Sequence, residues 1–316
     1  MMKHVLRISF MMLLLFISAC SANATDESSV PSVGLLTTES GLGDGSFSDS
    51  ALQGLERARE ELEVTFDYRE PLDGDYEASL RELIERDHAL IIGLAYQTQP
   101  AIEKLAEEYP DQQFAIIDSV SELPNVSSIT FKENEGSYLI GLIAGMRTET
   151  NEVGFIGGED TEVIQRFETG FVNGVKDANK EATIQTTYTG SFDDDQLGAE
   201  AARKMIEQDA DFLFPVAGYT GLGVLEEAQK SNIYAFGVDS DQFFLAEKAV
   251  VTSMLKRIDN AVYDLAKSVA DKESLTGDHT VLGLKEDGVG LAPIRLIQLT
   301  NEEQETLDAA LKEGEE

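Results

Sequence analysis

The chain of 316 residues has one cysteine, no tryptophan and three histidines, and its 24 basic residues face 59 acidic ones. Because Cys20 has no second cysteine to pair with, an internal disulfide is excluded. The formal net charge of −35 excludes nucleic acid as a partner and disfavours anionic ligands. His88 and His279 stand far apart without a metal-ligand or catalytic-triad spacing, so the sequence favours a non-enzymatic protein without metal or cofactor.

Long apolar runs are also missing, apart from one near the start. Two basic residues precede an apolar run over 8–17 that is too short to span a bilayer, and small residues lead up to Cys20. This order is typical of a secretory signal peptide, and the residues before Cys20 look like the lipobox of bacterial lipoproteins. An ordinary signal peptide with an incidental cysteine is the alternative. We expect a signal peptide over 1–19, a polar tether over 20–31, and an extracytoplasmic protein attached to the cell membrane by a lipid on Cys20.

From residue 33 onward, short apolar runs alternate with amphipathic stretches of helical period, which predicts βαβ units and parallel sheets. The predicted strands are 33–37, 64–68, 90–94, 114–117, 153–156, 184–188, 212–216 and 234–238. A segment over 123–131 interrupts the alternation after four units, and 252–257 leads into a late helix. Since eight strands exceed one open sheet of ordinary size, the sequence predicts an α/β protein of two parallel-sheet lobes with a cleft between them.

Ligands of open parallel sheets bind beyond the carboxyl ends of the strands, so the residues found there are candidates. The first strand runs into a glycine-rich loop over 37–49, in which Phe47 is the one large apolar ring and Ser46 or Ser48 can cap the next helix. The loop lacks the third glycine of a dinucleotide fingerprint and the lysine of a P-loop.

Charged residues follow other predicted strands. Asp118 ends the fourth strand, Asp239 and Asp241 follow the eighth, and Lys256 comes shortly after. Aromatic faces can stack on a heterocycle, and carboxylates accept hydrogen bonds from sugar hydroxyls. Each acid alone could instead cap a helix or form a turn, but the set points to a neutral nucleoside, because the protein's negative charge repels a nucleotide.

Seven segments, in order, resemble the basic membrane protein family of bacterial lipoproteins, whose members include purine nucleoside-binding subunits of ABC transporters. They are GDGSFSDSALQGL, YPDQQFAIID, ENEGSYLIGLIAGM, VGFIGG with FETGFVNGV, PVAGYTGLGV, FGVDSDQ and TSMLKRIDNAVYD. The resemblance covers nearly the whole mature chain and implies a type I periplasmic-binding-protein fold, two parallel-sheet lobes joined by a hinge. We expect lobe 1 over 32–130 and 255–283, lobe 2 over 131–254 and 284–300, and an acidic C-terminal helix or tail over 301–316.

The resemblance also implies ligand-binding residues. The stacking phenylalanine of the family falls on Phe47, a second aromatic falls on Phe214, and the base-binding aspartate falls on Asp118. The ribose-binding aspartate and lysine fall on Asp239 and Lys256.

Three positions depart from the family pattern. Thr38 stands where the family usually has an aspartate, Ser48 replaces an asparagine, and Tyr219 replaces a glycine. All three belong to the base end of the implied site, so the base preference is open while the ribose end matches.

The sequence therefore predicts a substrate-binding protein of an ABC transporter that captures a nucleoside, a purine one by resemblance, and presents it to a membrane permease. A surface sensor or regulatory lipoprotein with the same fold is the alternative. A nucleoside hydrolase is disfavoured by the histidine count. Calcium binding at 193–195 is disfavoured because Gly198 follows without a third ligand, and a helix start at Gln196 accounts better for these aspartates.

Overall fold

A computed structural model describes residues 30–315, so the predicted signal peptide, Cys20 and most of the tether lie outside the described residues. Its strands are β1 (Ser32–Leu36), β2 (Thr65–Arg69), β3 (Leu90–Leu94), β4 (Gln113–Ile117), β5 (Val126–Phe131), β6 (Glu152–Gly157), β7 (Thr183–Tyr188), β8 (Phe212–Val216), β9 (Tyr234–Asp239), β10 (Val250–Lys256), β11 (His279–Leu282) and β12 (Val289–Leu291). Its α-helices are α1 (Phe47–Leu62), α2 (Tyr76–Ile84), α3 (Gln99–Glu108), α4 (Glu133–Arg147), α5 (Glu162–Ala178), α6 (Asp195–Ile206), α7 (Tyr219–Ser231), α8 (Ile258–Ala270) and α9 (Asn301–Glu315).

The strands form two six-stranded sheets. Sheet A has the order β11-β5-β4-β3-β1-β2, and sheet B has the order β12-β10-β9-β8-β6-β7. Every pairing is parallel except that of β10 with β12. The predicted α/β class with two parallel-sheet lobes is thus confirmed.

Burial follows from the strand sequences. All residues of β3, β8 and β10 are buried, as expected for strands with helices on both faces of the sheet. The edge strands β2 and β7 expose part of their residues. Apolar side chains at consecutive positions thus place a hydrophobic core on each side of each sheet.

Glycines bring α4 and α5 together backbone to backbone. A Cβ atom on Gly174 would lie 2.1 Å from Tyr138 O, and one on Gly141 would lie 2.2 Å from Phe171 O, so a larger residue at either position would force the helices apart. This close packing fixes the first turn of α4 and the adjoining turn of α5 beside the end of β10, where the charged groups described below meet.

The structure contains all eight predicted strands, within one or two residues, and four that were not predicted: β5, β10, β11 and β12. The prediction that 123–131 interrupts the alternation is wrong, because 126–131 forms β5 between β4 and β11. Serines interrupt the apolar pattern of this strand in the sequence, yet Ser127 and Ser128 are both buried. Residues 252–256, expected to lead into a helix, belong to β10.

The chain crosses between the sheets after Phe131, after Lys256 and after Leu282. We propose these three crossings as the hinge of the two lobes. The expected lobe boundary between residues 130 and 131 falls one residue before the end of β5. The one between residues 254 and 255 falls two residues before the end of β10. None of the helices within residues 30–315 combines the length and apolarity that a membrane crossing requires.

Two residues that could suggest a functional site have structural roles instead. His88 is buried beneath sheet A with Nδ1 in contact with Ser32 Oγ, and burial lowers its pKa, as expected for a structural histidine. Asp194 caps α6, accepting a hydrogen bond from Gln196 N at 3.0 Å, so the aspartate run marks a helix start. The described residues contain no cluster of side chains suited to a metal ion.

Candidate functional site

A cavity of about 210 Å³ lies between the two sheets, at the carboxyl ends of their parallel strands. Sheet A contributes the loops after β1, β3 and β4, and sheet B contributes those after β6, β7, β8 and β9 together with the end of β10. We call this cavity the cleft. Its position agrees with the rule that open parallel sheets bind ligands beyond their strand ends.

Lys256 occupies the charged end of the cleft with its side chain 1% exposed. Its Nζ lies 2.5 Å from Asp118 Oδ2 and 3.0 Å from Glu133 Oε1. Burial alone would lower the pKa of this lysine, but the attraction of Asp118, Glu133 and Asp239 outweighs burial and raises it to about 12. The ammonium is therefore charged and held in place before any ligand arrives.

Glu133 connects this lysine to a second cation. Its side chain is fully buried, and its Oε2 accepts a hydrogen bond from Arg166 Nε at 2.7 Å. As the first residue of α4, the carboxylate also sits at the positive end of a helix. The result is a chain of alternating charge from buried Asp118, Lys256 and Glu133 to the partly exposed Arg166, which fixes the orientation of each group.

Asp239 ends β9 on the same wall of the cleft. Its Oδ2 accepts a hydrogen bond of 2.5 Å from Ser46 Oγ, which belongs to the opposite lobe. Burial raises the pKa of Asp239 to about 6, although the charge of Lys256 and the bond from Ser46 act in the other direction. This carboxyl group thus titrates near neutral pH.

Asp241, the alternative to Asp239, points elsewhere. Its two carboxylate oxygens pair with Arg295 at 2.9 and 2.8 Å, and it does not line the cleft. Asp239 is therefore the acid that the structure brings to the site.

Phe47 begins α1 and lines the cleft. The centres of the Phe47, Phe131 and Phe167 rings lie 5.4, 5.0 and 5.5 Å from Lys256 Nζ, so aromatic rings surround the ammonium. These rings exclude water from the charged end and leave an apolar wall beside it.

The glycine-rich loop that carries Phe47 is held by carboxylates rather than by serine caps. Asp44 accepts hydrogen bonds from Ser46 N and Ser48 N at 2.9 and 2.8 Å, while Asp49 accepts from two glycine amides of the loop. Ser46 stands at the N-cap position without making a capping bond, because its hydroxyl is used by Asp239. The expectation that Ser46 or Ser48 caps α1 through its side chain is wrong, and Asp44 has that role.

Three non-glycine residues at strand ends on the cleft have left-handed backbone angles. Ala95, Asp118 and Asp239 each have φ of 65°. Such angles cost free energy for residues with a Cβ atom and are maintained only where surrounding structure enforces them. These angles turn the chain at the ends of β3, β4 and β9, where the three residues line the cleft.

The structure brings most of the predicted site together. Five predicted residues line the cleft: Thr38, Phe47, Asp118, Asp239 and Lys256. Ser48 is buried behind the wall, and its hydroxyl oxygen lies 3.1 Å from Thr38 Oγ1. The sequence prediction that Phe47 shares one hollow with the two acids and the lysine agrees with this geometry.

Phe214 and Tyr219 are not part of the cleft wall. Phe214 lies two residues before the end of β8 and is fully buried, with its ring centre 5.4 Å from Phe171 and 5.9 Å from Phe155. Alternation along the strand turns it toward the core beneath α5, away from the cleft. Tyr219 begins α7 and is 37% exposed outside the cleft lining.

Phe192 takes the place on the wall that was expected for Phe214. It lies in the loop after β7, is half-buried, and its carbonyl accepts a hydrogen bond of 3.3 Å from Ser40 Oγ across the cleft. Sequence reasoning also missed Asp44, Glu133 and Gln97. Glu133 opens a helix two residues after β5, but the serines of that strand hid this signal in the sequence.

The two α/β lobes and the cleft between their strand ends define a solute-binding protein of the type I periplasmic-binding fold. Residues 32–314 match the family described as ABC transporter substrate-binding protein PnrA-like, and the chain belongs to this basic membrane protein family.

The chain is 35% identical over 306 residues to the "CD4+ T-cell-stimulating antigen" of Listeria innocua, covering 87% of this chain and 86% of that protein. It is 31% identical over 302 residues to the "ABC transporter nucleoside-binding protein BmpA" of Lactococcus lactis, covering 88% and 84%. Among solved structures, a solute-binding protein of an ABC transporter system from Aeropyrum pernix superposes with a TM-score of 0.82 at 27% identity, covering 90% of both chains. Membership in a substrate-binding family agrees with the non-enzymatic prediction.

Proposed function

We propose that this protein captures a nucleoside, preferably a purine nucleoside, in the cleft and delivers it to an ABC permease for import, while a lipid on Cys20 holds it on the outer face of the cell membrane. The observation that carries the proposal is the meeting of Lys256, Asp118, Asp239 and Phe47 around one cavity built by both lobes.

The charged end suits a sugar with free hydroxyl groups. Asp118 Oδ1 is buried without a hydrogen-bond partner in the described part of the chain, and it lines the cleft as an acceptor. Lys256 supplies a donor beside it, and Asp239 supplies a further carboxylate. Adjacent hydroxyls of a ribose could donate to the acids and accept from the ammonium, which would satisfy groups that are now buried and incompletely bonded.

The apolar wall beside the charged end suits a flat ring, and we call this part of the cleft the ring end. Phe47 from one lobe and Phe192 and Phe167 from the other line the cleft, with Val163 and Ile164 beside them. An aromatic base placed between such walls gains roughly 1 to 3 kcal/mol from stacking.

The lining also disfavours phosphate. Its acidic side chains are Glu39, Asp44, Asp118, Glu159, Asp193 and Asp239, and among the cleft-lining residues described here Lys256 is the only lysine or arginine. A nucleotide would bring its negative charge into this acidic surround and would find the single ammonium already paired. A neutral nucleoside meets no such repulsion.

Isothermal titration calorimetry of the full chain in detergent tests the proposal with adenosine, inosine, guanosine, cytidine, uridine, adenosine monophosphate and free ribose. We expect purine nucleosides to bind at least tenfold tighter than the nucleotide or the sugar. Phe47→Ala and Asp239→Asn should each weaken binding about tenfold or more, and Phe244→Ala, which alters a ring 73% exposed and away from the cleft, should not. Binding of the nucleotide or the sugar with equal affinity would overturn the proposal.

Cellular experiments test the anchor and the transport role. Cys20→Ala should move the protein from the membrane fraction to the soluble fraction without changing its nucleoside affinity. Deletion of the protein should lower uptake of labelled nucleoside. Undiminished uptake together with intact binding would instead support the sensor alternative.

A further inference from the structure

The loop after β3 holds an amide that the groups described so far leave unused. Gln97 lies in a short 3-10 helix over Tyr96–Thr98 and lines the cleft. Its Oε1 is buried without a hydrogen-bond partner among residues 30–315. A buried acceptor without a partner is unfavourable, so the position indicates that a bound molecule supplies the missing donor.

The segment around this amide is held on both sides. Thr98 Oγ1 donates to Ala95 O at 2.8 Å, and the Tyr96 hydroxyl donates to Glu159 of the opposite lobe. Ala95 itself has the strained φ of 65° that turns the loop toward the cleft. The fold thus orders both neighbours of Gln97 and keeps its amide group against the cavity.

Other buried glutamine oxygens without partners do not share this position. Gln113 Oε1 and Gln185 Oε1 are also unpartnered, but neither residue lines the cleft. Gln97 differs from these two residues because its unpartnered oxygen lies on the cleft wall. Gln113 therefore serves as a matched control.

We propose that Gln97 sets the base preference of the cleft by forming a paired hydrogen bond with the amino and N7 edge of a 6-aminopurine nucleoside. This inference rests on the proposed nucleoside function. A glutamine amide presents one acceptor and a donor side by side, and adenine presents the complementary N6 donor and N7 acceptor. A 6-oxopurine presents two acceptors at the same edge, which would leave Oε1 unpaired.

Thr38 and Ser48 support the same preference. Their hydroxyl oxygens lie 3.1 Å apart and bond to each other, so they add no fixed charge to the cleft wall. Gln97 carries the only side-chain amide among the described cleft-lining residues, and a hydroxyl replaces the family aspartate that resemblance implied at residue 38.

Calorimetry of the full chain with adenosine, inosine and 7-deazaadenosine tests the pairing. The wild-type protein should bind adenosine about tenfold or more tightly than inosine and than 7-deazaadenosine, which lacks the N7 acceptor. In Gln97→Met the affinity for adenosine should fall about tenfold, and all three affinities should become similar. Gln113→Met should retain the wild-type order.

Two results would overturn the inference: equal binding of adenosine and inosine by the wild-type protein, or an unchanged adenosine to 7-deazaadenosine ratio in Gln97→Met. Failure of the proposed function has a different signature, because then none of the three nucleosides would bind to the wild-type protein. Circular dichroism of Gln97→Met and Gln113→Met separates a lost contact from a lost fold.

Discussion

The two ends of the cleft are built differently. At the charged end, Lys256 ends a strand, Glu133 begins a helix, and ion pairs join Glu133 to both Lys256 and Arg166. At the ring end, Thr38 and Phe192 lie in loops, and Gln97 lies in a short 3-10 helix between a strand and a helix. The charged end therefore contributes to the stability of the fold as well as to binding, whereas the ring end can change with little cost to the fold and is where ligand preference can vary.

Lys256→Met tests the charged end and should have the largest effect. Removing the ammonium leaves Asp118 buried without its cation and Glu133 paired with Arg166 alone, so the free energy of unfolding should fall by about 3–5 kcal/mol. Urea unfolding followed by circular dichroism measures this loss. Lys230→Met, whose side chain is 64% exposed, should change the free energy by less than about 1 kcal/mol, and a similar change in both variants would refute the comparison.

Phe47→Ala and Phe214→Ala should separate binding from stability. Phe214 is fully buried among aromatic rings, so its truncation should lower the free energy of unfolding by about 3–5 kcal/mol. Phe47 lines the cleft, so its truncation should cost ligand affinity, about 1–3 kcal/mol or more, through lost stacking. Urea titration and calorimetry of both variants measure the two quantities. If Phe214→Ala lost ligand affinity while its fold stayed intact, Phe214 would belong to the binding site after all.

The pH dependence of binding should depend on Asp239. Because burial raises its pKa to about 6 in the free protein, the carboxyl gains a proton as the pH falls from 7 to 5 and loses its strength as an acceptor. Nucleoside affinity should therefore fall about tenfold over that range. Calorimetry at several pH values measures this slope, and the slope should be absent in any Asp239→Asn protein that retains weak binding.

The same group has the opposite effect on folding. Its pKa in the folded state lies above the ordinary value of 3.8, so its contribution to stability is full below pH 3.8 and is lost as the pH rises through about 6. Asp239→Asn should consequently gain stability relative to the wild-type protein as the pH rises from 4 to 7. A constant difference across this range would mean that the carboxyl does not titrate there.

Tyr96→Phe should have the smallest effect. It removes the hydrogen bond between Tyr96 and Glu159, two partly exposed residues of opposite lobes, and the ring itself remains. Nucleoside affinity should fall by about two- to fivefold, corresponding to roughly 0.5–1 kcal/mol. A faster dissociation rate in stopped-flow measurements would show that the bond helps to keep the lobes together. An unchanged dissociation rate would mean that this hydrogen bond does not help to hold the lobes together.

The strands that sequence reasoning found are those with continuous apolar runs, such as β3 and β8. It missed β5 and β10 because serine, threonine and lysine interrupt their apolar pattern, although the structure buries these polar residues by hydrogen bonds or ion pairs. Hydrophobic periodicity alone does not identify a strand whose polar side chains are buried and hydrogen-bonded or ion-paired inside the protein.

The candidate site, like the fold, could be predicted only in part from the sequence. Asp118 and Asp239 could be located because each stands at the end of a predicted strand, and strand ends of parallel sheets converge. Lys256 was assigned by family resemblance, because the strand that it ends was not predicted. The role of Phe192 could not be predicted, since it depends on the path of the loop after β7, and Phe214 was misplaced because its face of β8 is not fixed by motif spacing. Gln97 could be identified as a candidate only from its unpartnered side-chain oxygen, which depends on three-dimensional packing and not on the sequence pattern.

The left-handed angles of Asp118 and Asp239 have an evolutionary consequence. Glycine adopts φ of 65° without the steric penalty that aspartate meets, so replacement by glycine would relax the backbone and remove a desolvated acid in one step. A laboratory selection for heat resistance alone would thus reward loss of the Asp239 carboxylate, whereas loss of Asp118 would also remove the ion-pair partner of buried Lys256. Asp239 therefore marks a position where thermal robustness is given up for recognition.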